Sequence, residues 1–107
     1  MIINLLALEK CKNCEKIELL FMENNIKFNY IDGDTNSEYY NDTENLINTS
    51  VYPILILEEL AGNTVEILYL AKEYADVGKR LPLGNKTTAI SLYSVNEMLE
   101  YIKNMLY

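Results

Sequence analysis

The chain has 107 residues, 50% of them hydrophobic and 23% charged, with nine basic against sixteen acidic residues, no histidine and a net charge of −7. That length suits a single domain over residues 1–107 with one core, and the apolar content excludes global disorder. An acidic chain lacks the basic face that a nucleic-acid backbone demands, and a chain without histidine excludes Ser-His-Asp and Cys-His catalysis and every imidazole metal site. The longest uninterrupted apolar run, Ile67 to Ala71, falls far short of the roughly 20 residues of a membrane span, so neither a membrane nor nucleic acid is an expected partner.

The elements follow in chain order. Met1 to Glu9 has no basic leader and no small-residue cleavage site, so it does not read as a signal peptide and a cytoplasmic setting is expected. Ile2 to Leu8 is apolar except for Asn4, which predicts a first strand covered on both faces. Ile17, Leu20 and Phe21 recur at helical spacing, predicting a helix from Cys14 to Glu23 that stops at Asn24-Asn25. Ile26, Phe28 and Tyr30 alternate with polar residues as in a second strand, closed by the turn Asp32-Gly33-Asp34. Thr35 and Glu38 have capping-box spacing, and a helix over about Ser37–Asn48 would turn Tyr40, Leu46 and Ile47 inward. Val51 to Glu58 predicts a third strand with Pro53 near its start, and Gly62-Asn63 a hairpin turn into a fourth strand, Thr64 to Leu70. Residues 71–90, which contain Gly78, Pro82 and Gly84, read as a loop with one helical turn near Lys72–Val77. Ser94 and Glu97 again have capping-box spacing, and Val95, Met98, Leu99 and Ile102 predict a C-terminal helix to about Leu106. The order implies an α/β fold: a four-stranded mixed sheet flanked by helices.

Two cysteines are too few, and too close together, for a secreted disulfide scaffold. Cys11-Lys12-Asn13-Cys14 falls where the first strand gives way to the first helix. A sulfur at a helix N-terminus faces free backbone N–H groups and the positive end of the dipole, which favour its anion and lower the thiol pKa from about 8.5 towards neutrality. Cys11 is therefore the candidate nucleophile and Cys14, one turn deeper, the thiol that resolves a mixed disulfide. Lys10, Lys12 and Lys16 put three of the nine basic residues around this site, and Glu9, Glu15 and Glu18 partly offset them.

From Ile2 to Leu70 the chain resembles the thioredoxin fold, and more closely its glutaredoxin branch. The resemblance rests on the starting strand, on Cys11 and Cys14 at a helix start, and on Val51-Tyr52-Pro53 opening the third strand. It implies a thioredoxin-like, glutaredoxin-type sheet. It also implies a cis-proline at Pro53 facing the cysteines and a Tyr52 backbone that grips a substrate, with Lys10, Lys12 and Val51 beside it. Lys12-Asn13 stands where glutaredoxins often have Pro-Tyr, and Leu70-Ala71-Lys72-Glu73 where they carry a Gly-Gly pair. The implied activity is thiol–disulfide oxidoreduction on a disulfide-containing protein or a glutathione adduct. Glutathione or a thioredoxin-reductase-type enzyme would regenerate the dithiol, with no bound cofactor and no metal. The abundant asparagine reads as compositional bias of the source genome, and small asparagine-rich chains with this resemblance to glutaredoxins look like products of phages or AT-rich bacteria.

Other readings stand beside this one. Two copies of the chain could pool their cysteines on one zinc ion. A catalytically idle thioredoxin-like module could use the same fold to dock on a partner. Tyr52 could form one wall of a substrate groove, while Tyr30, Tyr69 and Tyr101 read as half-buried framework. Asp32 and Asp34 could hold a metal but fit a turn, and Lys79-Arg80 could bind an anion or simply be exposed.

Overall fold

The computed structural model describes residues 1–107. Strands β1 (Ile2–Leu6), β2 (Asn29–Ile31), β3 (Ile54–Glu59), β4 (Thr64–Leu70), β5 (Arg80–Gly84) and β6 (Thr87–Leu92) and helices α1 (Lys12–Glu23), α2 (Ser37–Ile47) and α3 (Val95–Leu106) make an α/β fold, with one 3-10 turn at Tyr74–Asp76. The strands form one mixed sheet in the order β2-β1-β3-β4-β6-β5. β1 runs parallel to β2 and antiparallel to β3, and β3 is antiparallel to β4. β4 runs parallel to β6, which is antiparallel to β5.

The sheet therefore has six strands, not four. The two extra strands take up nearly half of the segment predicted as loop, and its apparent breakers explain the error. Gly78 takes a positive φ of 82° just before β5, and Gly84 one of 83° at the strand's end, beside a register shift. Pro82 lies in the sheet's outermost strand, one of the few places where a missing N–H breaks no ladder. These residues mark the limits and the edge of a strand. The helical turn expected near Lys72–Val77 is the short 3-10 turn.

Register sorts the side chains. Leu5, Leu55, Leu68 and Ile90 are aligned across four strands on one face, and Asn4, Ile56, Ile67 and Ala89 on the other. Ile54 to Leu57 are buried at four successive positions, which requires cover on both faces. α1 and α3 pack together, and the Tyr101 hydroxyl of α3 donates to Glu66, which shares a face with Leu68; these helices cover that side. α2 covers the other, with Tyr39 close enough to Glu58 to feel its charge. Asn4 is buried there without being orphaned: its amide donates to Glu58 Oε2 at 3.1 Å and its carbonyl accepts from Asn29 at 3.2 Å.

Local rules account for the helices. Cys14, Ile17 and Phe21 form the buried stripe of α1, and Val95, Met98, Leu99 and Ile102 that of α3. Ser94 Oγ accepts from the Glu97 N–H at 3.3 Å, while Glu97 Oε2 reaches back to the Tyr93 N–H at 2.6 Å. The other expected capping box does not form. Asp32 takes the Thr35 hydroxyl and the Asp34 N–H instead, both at 3.2 Å, and Asn36 becomes the cap residue, its side chain turned back to the Asp32 carbonyl at 2.9 Å and making no capping bond to the helix. The buried stripe of α2 is Tyr40, Thr43 and Ile47, which leaves Leu46 52% exposed. β2 is shorter than predicted, and on this outer strand Tyr30 is 51% exposed, so it is not framework. No helix is long and apolar enough to cross a membrane.

Candidate dithiol site

β1 ends at Leu6, and Ala7 is the last buried residue before the exposed Leu8, Glu9 and Lys10. Lys10 adopts a left-handed conformation (φ 56°), and Cys11 returns to extended backbone as the N-cap of α1. Its sulfur does the work that Ser or Asp usually does at this position: Cys11 Sγ accepts the Cys14 N–H at 3.1 Å. The two cysteines are joined in a disulfide, with Cα atoms 5.2 Å apart. They differ in access, because Cys14 is 3% exposed while Cys11 is only partly buried. On reduction, the reachable sulfur is thus also the one that the helix N-terminus polarises towards the thiolate.

Val51, Tyr52 and Pro53 run alongside. The Tyr52–Pro53 peptide is cis, and the Tyr52 carbonyl oxygen lies 3.7 Å from Cys11 Sγ. Thr49 Oγ1 accepts the Val51 N–H at 3.2 Å. The Val51 side chain faces solvent and Pro53 is buried, so β3 begins one residue after the proline. The Tyr52 side chain does not take up the possible role of a groove wall. It is 6% exposed, because its hydroxyl donates to Glu44 Oε2 at 2.5 Å and its ring stacks on Tyr40 at 5.5 Å between centroids. What Tyr52 presents to Cys11 is backbone.

Lys10, Lys12 and Lys16 are exposed around the disulfide. None is tied to a carboxylate, since the ion pairs are Lys79–Asp76 and Lys103–Glu100. Lys79-Arg80 is not a free anion site. The Lys79 ammonium sits on Asp76 at 2.9 Å, and Arg80 interacts with Tyr101. A cavity of about 320 Å³ opens between Thr49, Tyr69, Lys72 and Lys79, and neither cysteine lines it. Sequence reasoning missed Tyr40 and Glu44. Tyr40 looked like one more apolar position on a helical stripe, and no local pattern shows where its hydroxyl goes.

The buried tyrosines titrate abnormally. Burial, and then the bond to Glu44, push the Tyr52 hydroxyl far above its usual value of 10.0. Burial also raises Tyr40 and, with the Glu66 bond, Tyr101. The unfolded chain therefore loses these protons first. Their contribution to stability is complete below about pH 10 and is lost progressively above it. Denaturation midpoints should fall as the pH rises from about 10 to 12, and Tyr52→Phe should flatten that fall. Parallel curves for the two proteins would contradict this assignment.

No model of a known protein family, no curated protein and no solved structure was found to match the chain.

Proposed function

We propose that this chain is a thiol–disulfide oxidoreductase of glutaredoxin type, with Cys11 as nucleophile and Cys14 as resolving thiol. The observation that carries the reading is the position of Cys11 Sγ. It caps a helix through the Cys14 N–H at 3.1 Å, lies 3.7 Å from the Tyr52 carbonyl and is bonded to a buried partner sulfur. The order β2-β1-β3-β4, with the cysteines after β1 and Pro53 just before β3, supports a thioredoxin-like assignment for residues 2–70. On that assignment β5 and β6 are an extension of the common unit.

The chemistry uses only these groups and the substrate. The Cys11 thiolate attacks one sulfur of a protein disulfide or a glutathione adduct, and the other sulfur leaves as a thiolate that takes up a proton. Cys14 gives up its proton and attacks Cys11 Sγ, which closes the disulfide and releases the second substrate thiol. The substrate gains two electrons and the dithiol loses two. Two glutathione molecules, or a thioredoxin-reductase-type enzyme, return them. Lys10 and Lys12 add positive potential at the thiolate. The Tyr52 N–H makes no hydrogen bond within the chain, which leaves it free, with Val51, to pair with an extended substrate backbone. A cytosol, where thiols are kept reduced, suits this cycle.

The test is reduction of insulin, or of a glutathione-capped peptide, by the reduced wild-type protein with glutathione, glutathione reductase and NADPH. Turnover above the protein-free rate is expected. Its absence there, and with a thioredoxin reductase, would leave the docking module as the reading. Stoichiometric zinc in protein purified without chelator would overturn the redox reading outright.

A further inference from the structure

Tyr40 is hydrogen-bonded to neither sulfur, yet it joins the chain segments on both sides of Cys11. Its hydroxyl accepts the Ala7 N–H at 2.8 Å and lies 2.9 Å from the Ala7 carbonyl and 2.6 Å from that of Ile31, either of which can accept its hydrogen bond. Ala7 is where β1 releases the chain into the cysteine loop. The Tyr40 ring is stacked on Tyr52, with planes 21° apart, and Tyr52 carries the carbonyl 3.7 Å from Cys11 Sγ. A single buried side chain thus spans from the loop that delivers the nucleophile to the strap that faces it.

Two backbone groups address Cys11 Sγ with opposite effects. The Cys14 N–H favours the thiolate, and α1 alone sets its position. In the disulfide the 3.7 Å approach of Tyr52 involves no proton, but in the reduced protein the Tyr52 carbonyl is placed to accept an S–H hydrogen bond from Cys11, which favours the thiol over the anion. Its distance depends on whatever holds the two segments together. We propose that Tyr40 is a positioning residue of the dithiol site: its clasp on Ala7 and Tyr52 keeps the Tyr52 carbonyl against Cys11 and so restrains the thiolate fraction of the reduced protein. The inference rests on Cys11 being the redox nucleophile, but its test reads acidity and needs no turnover. A failed insulin assay and a failed clasp are therefore separate results.

The experiment is alkylation of the reduced protein by iodoacetamide across pH, with the modified cysteine identified by mass spectrometry. Wild type is compared with Tyr40→Phe and with Tyr101→Phe, which loses a tyrosine hydroxyl bonded to Glu66 on the other face of the sheet. Tyr40→Phe should lower the Cys11 midpoint and raise its rate near neutral pH by about two- to tenfold, the range of one ordinary hydrogen bond. Tyr101→Phe should leave the midpoint where it is. A Tyr40→Phe midpoint equal to wild type, or an equal shift in Tyr101→Phe, would overturn the proposal. Should Tyr40→Phe not fold, the Tyr40 ring resonances of wild type decide. They should move with the Cys11 titration, and resonances that stay fixed through it would overturn the clasp.

Discussion

On the proposed mechanism, Cys11→Ser should abolish disulfide reduction, while Cys14→Ser should halt it one step later with the substrate still attached. The two outcomes follow from the unequal surroundings of the sulfurs. Cys11 is the partly exposed helix cap and Cys14 is 3% exposed beneath it, so only Cys11 can meet a large substrate. A serine hydroxyl does not ionise near neutral pH and does not exchange with disulfides, so the first variant should fall by at least about a hundredfold, to background. In the second variant the proposed first attack should proceed normally. A single-turnover mixture of the pre-reduced variant and insulin, free of other thiols, should accumulate a covalent adduct on Cys11. Mass spectrometry reads it directly, and wild type should show released insulin thiols instead. Cys11→Ser working at the wild-type rate would remove the proposed nucleophile.

Phe21→Ala should be among the most damaging core changes. Phe21 is fully buried on the inner stripe of α1 and meets Phe28 at 5.3 Å between ring centroids. Truncating such a ring forfeits its transfer energy and leaves a void that neighbours fill only partly, together about 3–5 kcal/mol. Domains of this size are stable by about 5–15 kcal/mol, so much of the margin is lost. The melting temperature should drop by at least about 12 °C. Leu19→Ala on the same helix is the control, because Leu19 is 56% exposed and its loss should stay within about 0.5 kcal/mol. Similar denaturant midpoints for the two variants would mean that α1 is not held to the sheet through Phe21.

The sequence was most legible where one local rule acted alone. The stripe Val95, Met98, Leu99 and Ile102 and the Ser94 cap gave α3 at its observed bounds, and Gly62-Asn63 placed the hairpin between β3 and β4. Legibility failed where two rules competed. Gly78, Pro82 and Gly84 argue against a strand locally, but pairing with Thr87–Leu92 overrides them, and the turn signal Gly84-Asn85 between two short apolar runs could have exposed the hairpin. Leu46 and Tyr30 are apolar residues at plausible inward positions, and their exposure is decided by which neighbour is present, something only the assembled sheet defines. At the dithiol site, the cysteine pair and Pro53 stand out in the sequence. The fastening of that site does not, because Tyr40, Ala7, Tyr52 and Glu44 come from separate segments and meet only after folding.

The two borders of the sheet bear on how the molecule behaves in company. One border is β2, three residues long, and the other is β5, interrupted by Pro82 and a shift in pairing. An incoming chain seeking to prolong the ladder would find too few amides on the first side and a broken row on the second. Concentrated preparations should therefore resist fibre formation through these borders, even though half the residues are hydrophobic.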